Sequence, residues 1–455
     1  MQIDFHLNPE QFQNKLTRFF SLSAQKIHMI ETEWDPSKGT PVYTSGGKYT
    51  TRGWTEWTQG FQFGSALLQY DATGEEEFLE SGRRDTLEKM APHLTHTGVH
   101  DHGFNNVSTY GNLWRLMNEG RIPENPWERH FYELALKTSG AVQAARWSST
   151  SNGFGFICSF NGPHSLFVDT IRSLRALALS HKLGHVLMGE QDKPISLLER
   201  LIHHARNTAR YNVYYGTGRD AYDERGRTVH EAIFNMRDGQ FRCPSTQQGY
   251  SPFSTWTRGL AWAITGFAEE IEFLDSLSHE ALDPFGGKNN LIDEFLETAY
   301  ATADYYIEHT PLDGIPYWDC GAPGLVHLGD YCQQKAEPFN KYEPVDSSAA
   351  AIAAQGLIRL GHYLATQGKD GARYFQAGLT IAQTLLEEPY LSVSPQHQGL
   401  LLHSVYHRPN GWDTIPAGQT VPCGESSLWG DYHVRELAVL LWRLATQKPY
   451  PVFFQ

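Results

Sequence analysis

The sequence predicts an all-α fold in which about twelve helices pair into six hairpins and close into a ring. Three observations carry that expectation. Apolar residues recur at helical spacing in twelve segments, whereas strand-like stretches are short. No Ser/Gly/Pro linker, low-complexity tract or run of like charges divides the chain. A single closed architecture can therefore absorb 455 residues, a length that otherwise suggests two or three domains. Finally, Trp57-Thr58-Gln59-Gly60-Phe61 and Trp256-Thr257-Arg258-Gly259-Leu260 open two amphipathic helices in the same way, as repeated hairpins would.

The periodic segments lie at about 10–32, 58–71, 75–92, 106–119, 127–145, 166–187, 194–210, 256–275, 290–309, 346–366, 370–388 and 429–446. Asn8-Pro9-Glu10 supplies cap chemistry before the first, Pro126 opens the fifth, and Asp346-Ser347-Ser348 precedes the tenth. Short strands are expected around 213–215 and 400–405. Irregular polar stretches fall near 33–57, 147–165, 211–255, 310–345 and 389–428, rich in Gly, Asn, Asp, His, Trp and Tyr. Stretches this long in a compact protein usually carry function, so they are read as the walls of one cleft.

Aromatic residues make up 13% of the chain, with 12 Trp and 22 Tyr, many of them beside Gly, Asp, His or Asn. Such side chains join an apolar face to a polar handle, which suits sugar rings; an aromatic-rich core is an equally available reading. A net charge of −14 argues against binding a nucleic-acid backbone. It also means that an anionic substrate must be held by a local Arg or a helix N-terminus. Five scattered cysteines imply neither a disulfide framework nor a zinc site. No secretion signal and no membrane-length apolar run is present, so with Met1 as the start the chain is expected to be soluble and cytoplasmic.

Three clusters hold groups capable of chemistry. In His100-Asp101-His102-Gly103-Phe104, an aspartate lies between two histidines just ahead of a helix. That arrangement suits a tuned carboxylate, part of a metal site, or an ordinary N-cap. In the second cluster Asp169 sits early in an otherwise apolar helical stretch, Leu166 to Leu174. Burial there would raise its pKa toward what a general acid needs, although a first-turn Asp is also favoured by the helix dipole. The third runs from His230-Glu231 through Gln248 to Trp262. Here Arg258 suits a two-pronged grip on a carboxylate and Trp262 a stacking platform, or else an exposed Arg and a core Trp.

In this order the segments resemble glycoside hydrolase family 88, the unsaturated glucuronyl hydrolases. The matching pieces begin with His100-Asp101-x-Gly103-Phe104, Asp169, Gln248-Gly249-Tyr250 and Ser254-Thr255-Trp256-x-Arg258-Gly259-x-Ala261-Trp262. They continue with Pro316-Tyr317-Trp318-Asp319, Asp346-Ser347-Ser348, Gly399-Leu400-Leu401-Leu402-His403 and Trp429-Gly430-Asp431-Tyr432. The resemblance implies an (α/α)6 barrel forming a single catalytic domain. It also implies hydration of the C4=C5 double bond that a lyase leaves on a terminal uronic acid, which releases that sugar from an acidic oligosaccharide. By the same resemblance Asp169 is the general acid/base and Asp101 its partner, while His230, Gln248, Arg258 and Trp262 contact substrate. His100 joins this set beside Asp101. No metal or organic cofactor is implied.

One position departs from the family pattern: Gln62 stands within Gly60-Phe61-Gln62-Phe63-Gly64 where an aromatic residue is common. Trp57 is then the candidate platform. Three rival readings stay open on these residues: an unsaturated rhamnogalacturonyl hydrolase on the same barrel, an (α/α)6 sugar epimerase or isomerase using paired histidines from His100, His102, His230 and His403, and a non-catalytic sugar binder.

Overall fold

The structure, a computed structural model, describes residues 1–52 and 56–454; residues 53–55, inside the polar stretch 33–57, and residue 455 lie outside it. Among the described residues twelve long helical runs follow one another. The first six are α1 (Gln13–Glu33), α2 (Gln59–Thr73), α3 (Glu76–Lys89), α4 (102–118), α5 (Pro126–Ala145) and α6 (170–182). The other six are α7 (Leu197–Tyr211), α8 (Thr257–Asp275), α9 (Lys288–Glu308), α10 (Ser347–Thr366), α11 (Ala372–Leu385) and α12 (Leu428–Ala445). Each corresponds to one predicted segment. The cap chemistry works as expected: Asn8 and Gln11 form a capping box, Asn125 caps α5, and Asp346 accepts from the Ser348 N–H.

The even-numbered helices pack side by side, α2–α4–α6–α8–α10–α12 and back to α2, and the odd-numbered helices cover them from outside. This is an (α/α)6 barrel. Burial patterns explain which helix goes where. Helix α1 buries a stripe, Leu16, Phe19, Phe20, Ile27 and Ile30, as an outer helix does. In α8 every residue from Thr257 to Ile271 is buried, and in α10 every residue from Ser347 to Gly361, as inner helices require. Several charges on the inner helices are paired. Arg172 donates to both Glu269 oxygens, at 3.0 and 2.9 Å, and to Glu436 at 2.9 Å.

Three expectations need correcting. The segment 166–187 does not begin as a helix: Gly162-Pro163 turns the chain and Ser165–Phe167 forms a strand. That strand pairs antiparallel with Glu231–Phe234, which pairs in turn with Phe241–Ser245. Around 213–215 there is only an isolated bridge, Val213 to Thr228. Around 400–405 there are likewise only isolated bridges, because the Asp431 carboxylate takes the Leu400 and Leu401 N–H groups at 2.9 and 2.8 Å, leaving no ladder. No described helix is long and apolar enough to cross a membrane.

Candidate active site

At one end of the barrel is a cleft enclosing about 630 Å³ of empty space, its open mouth included. Its position follows from a close approach between α4 and α6. A Cβ on Gly103 would lie 2.2 Å from the Ser173 carbonyl oxygen, so only glycine lets the two helices meet here. Ser173 fastens the contact: its hydroxyl accepts from the Gly103 N–H at 2.9 Å and donates to the His100 carbonyl at 2.7 Å. Asp101 precedes α4, and its side chain makes no cap hydrogen bond, which leaves the carboxylate for the cleft. Asp169 follows the strand Ser165–Phe167 and stands at the N-cap position of α6, just after the Val168 N–H donates to the His230 carbonyl at 2.9 Å.

The three groups converge. His100 Nε2 lies 3.4 Å from Asp169 Oδ1 and 3.6 Å from Asp101 Oδ1. Neither ring nitrogen has the geometry of a hydrogen bond, so these are electrostatic contacts. Phe160 stacks on the ring and Phe167 meets it edge to face, and the imidazole is 1% exposed. Burial by itself would lower the His100 pKa, but the two carboxylates outweigh it and hold the imidazole above its ordinary range. Burial pushes both carboxylates upward. Asp101 stays raised, with Asp169 adding to the effect, whereas for Asp169 the adjacent His100 overcomes burial and leaves it below the ordinary range. The upward shift expected at Asp169 is therefore found at Asp101.

The other expected residues separate into those that line the cleft and one that stands behind it. Trp57, His100, Gln248, Arg258 and Trp262 line it together with the two aspartates. Trp57 stacks on Trp429 at 5.1 Å, and Trp262 packs against Phe104 at 4.8 Å and His433 at 4.9 Å. Arg258 does not present a free fork. Nη1 donates to Asp346 at 2.8 Å and to the Val405 carbonyl; Nη2 donates to Gln248 Oε1 at 3.0 Å and to the Tyr406 carbonyl at 2.8 Å. It clasps two cleft segments to α10. His230 is absent from the lining. Its Nδ1 accepts the Gln247 and Gln248 N–H groups at 3.0 and 3.4 Å, which puts the ring proton on the unpartnered Nε2. Burial lowers its pKa to about 4, so the ring is neutral.

Sequence reasoning did not single out Phe160, Tyr406, His407 or Trp412, and it named Gln247 only as part of the third cluster; all five also line the cleft. The signal was coarse: they lie in the irregular stretches 147–165, 211–255 and 389–428. The stretch 310–345 contributes a brace instead, since Asp319 accepts the Tyr250 N–H at 2.8 Å and the Ser254 hydroxyl at 3.0 Å. Gln62 belongs to a separate cavity, with Phe63, Ser65 and Arg435. The paired-histidine arrangement is not assembled. His102 turns to Ser139 and the His96 carbonyl, and His403 does not line the cleft. Among the described residues no group of three or more His, Cys, Asp or Glu is placed to hold a metal.

No protein-family model matches the chain. It is 25% identical over 415 residues to an unsaturated glucuronyl hydrolase of Bacillus sp. (strain GL1), covering 89% of this chain and 91% of that protein. It is 23% identical over 460 residues to an unsaturated chondroitin disaccharide hydrolase of Streptococcus pyogenes serotype M1, covering 96% and 95%. Among solved structures, an unsaturated glucuronyl hydrolase specific for heparin superposes with a TM-score of 0.72 at 20% identity, over 95% of this chain and 98% of that one.

Proposed function

We propose, from a chain that resembles the unsaturated glucuronyl hydrolases over nearly its whole length, that this protein hydrates the C4=C5 double bond of a terminal unsaturated uronic acid. The products are that sugar and the rest of a lyase-generated acidic oligosaccharide. The observation that carries the reading is the pair of aspartates on one imidazole at the bottom of an aromatic-lined cleft.

Chemically, a vinyl ether must be protonated on carbon, a slow step that needs an acid both protonated and aimed. We assign that role to Asp169, whose Oδ1 is buried without a hydrogen-bond partner. His100 by itself keeps it ionised. A uronate carboxylate arriving beside it, with water expelled, adds a like charge and deeper burial, and both raise a carboxyl pKa. Asp169 then gives its proton to C4, water adds its oxygen to C5 and returns a proton to Asp169. The hemiketal formed at C5 opens by cleavage of the C5–O5 bond, giving a ketone at C5 and leaving O5 as a hydroxyl on C1. That hemiacetal then collapses to an aldehyde, breaking the C1 bond to the leaving sugar, whose oxygen takes the hydroxyl proton. Asp101, held upward in pKa, shares the proton with its neighbour and keeps the pair from carrying two full negative charges. Trp57, Trp262 and Gln248 are proposed to contact the sugar. Arg258 and His230 act through Gln248 and through the cleft wall.

All twelve helices belong to one barrel, so the chain is read as a single catalytic domain. The five cysteines are free, which suits a reducing compartment and a cytoplasmic location. The test follows the ultraviolet absorbance of the conjugated double bond in lyase-generated disaccharides, sulfated and unsulfated, with rhamnogalacturonan products included. Loss of absorbance with wild type and not with Asp169→Asn supports the reading, and the best substrate names the leaving sugar. Folded wild-type protein that leaves every disaccharide untouched overturns it.

A further inference from the structure

The segment 406–413 folds back on itself at the cleft. Tyr406, His407 and Trp412 all line the cavity, with ring centroids 5.2 Å apart for Tyr406–Trp412 and 4.9 Å for His407–Trp412. The Trp412 N–H donates to the His407 carbonyl at 3.3 Å, and Arg52 donates to the Trp412 carbonyl at 2.7 Å. Asp413 is not part of the cavity lining. Its carboxylate nevertheless closes the loop: one oxygen accepts the Tyr406 N–H at 2.5 Å and the other the His407 N–H at 3.1 Å. One side chain thus joins both ends of the segment that presents three cleft residues.

We propose that Asp413 is a positioning residue that sets how the cleft accepts the leaving sugar, by holding Tyr406, His407 and Trp412 as one wall. This rests on the function proposed above. The scissile unit must reach the aspartates, each 8% exposed, so the remainder of the chain extends toward the mouth, where Trp412 is half-buried. A wall that is out of place there weakens binding and leaves the chemistry at Asp169 intact.

The charged and titratable groups facing Asp413 are Arg408 and His407 on its own segment, Arg258 on α8, and Tyr43, whose ring stacks on Tyr406 at 5.9 Å. Burial raises Asp413 to about 6, opposed by the Tyr406 and His407 N–H groups and by the two guanidinium groups. Above that pH both oxygens accept. Below it one oxygen carries a proton and the loop loses an acceptor.

The experiment measures kcat and KM separately across pH on the best unsaturated disaccharide, for wild type, Asp413→Asn and Asp413→Ala, with thermal melts as the folding control. The expected result is a KM raised about tenfold in Asp413→Asn, as for a weakened charge-assisted hydrogen bond, with kcat within about twofold. Wild-type KM rises below about pH 6, and in Asp413→Asn that inflection is absent. The wild-type inflection is informative even where a variant fails to fold. Unchanged KM in Asp413→Asn, or a wild-type KM flat through that range, overturns this inference while the hydration activity stands. Wild type inactive on every disaccharide overturns both.

Discussion

Asp101 and Asp169 precede different helices, yet their carboxylates meet the same nitrogen, His100 Nε2, at 3.6 and 3.4 Å. Their pKa values part nonetheless: burial and the charge of Asp169 hold Asp101 upward against the pull of His100, whereas at Asp169 His100 overcomes burial and draws it downward. Such a separation is how two like groups take unlike roles.

Replacing Asp169 with Asn should remove the acid while keeping the shape. Turnover on an unsaturated disaccharide is expected to fall by about 10²–10⁴, the range typical of a lost general acid. Residual activity near wild type would assign the proton to another group.

Gly103→Ala should pull the site apart without touching it chemically. Its methyl group would meet the Ser173 carbonyl at 2.2 Å, so α4 and α6 must separate. The expected cost is about 1–3 kcal/mol in urea denaturation, together with loss of turnover. Gly82→Ala meets the movable Leu67 side chain at 2.8 Å instead and should leave turnover intact.

Gln62 and Trp57 should behave oppositely. Gln62 lines a cavity apart from the cleft, so Gln62→Ala is expected to leave kcat/KM within about twofold. Trp57 lines the cleft, and Trp57→Ala should raise KM about tenfold or more, the effect of losing a stacking platform. A matched effect at both positions would contradict this placement.

Stability should fall as pH drops from neutrality toward 4. Burial lowers His93, His102, His230, His403 and His407 to about 4, and His204 and His433 to about 3. On unfolding these rings regain their ordinary affinity and take up protons below about pH 6.5, which favours the unfolded chain as pH falls. Asp319 and Asp413, raised to about 6, act in the opposite sense, as do the raised Asp101, Asp313, Glu270, Glu272 and His100. They are outnumbered once His181, His185, His203 and His362, also lowered by burial, are added to the seven. Urea midpoints at pH 7 and pH 5 check the sign, with the lower midpoint expected at pH 5.

Twelve helices, their order and several of their caps were legible in the sequence, because periodicity and N-cap chemistry are local and each helix carries its own pattern. The motifs likewise named Asp101, Asp169, His100, Gln248, Trp57 and Trp262, all of which the fold brings to one cleft. What the sequence could not convey depends on distances between separate elements. The approach of Gly103 to Ser173 decides that two remote aspartates share one imidazole. Arg258 reads as a carboxylate clamp until Asp346, Gln248 and two carbonyls are seen to hold its donors. The wall formed by Tyr406, His407 and Trp412 has no periodic signature, since a loop closed by one side chain onto two N–H groups leaves no repeat to read. Which aspartate is raised was decided only by the tertiary structure as well. Burial acts on both carboxylates alike, and the balance turns on where His100 comes to rest.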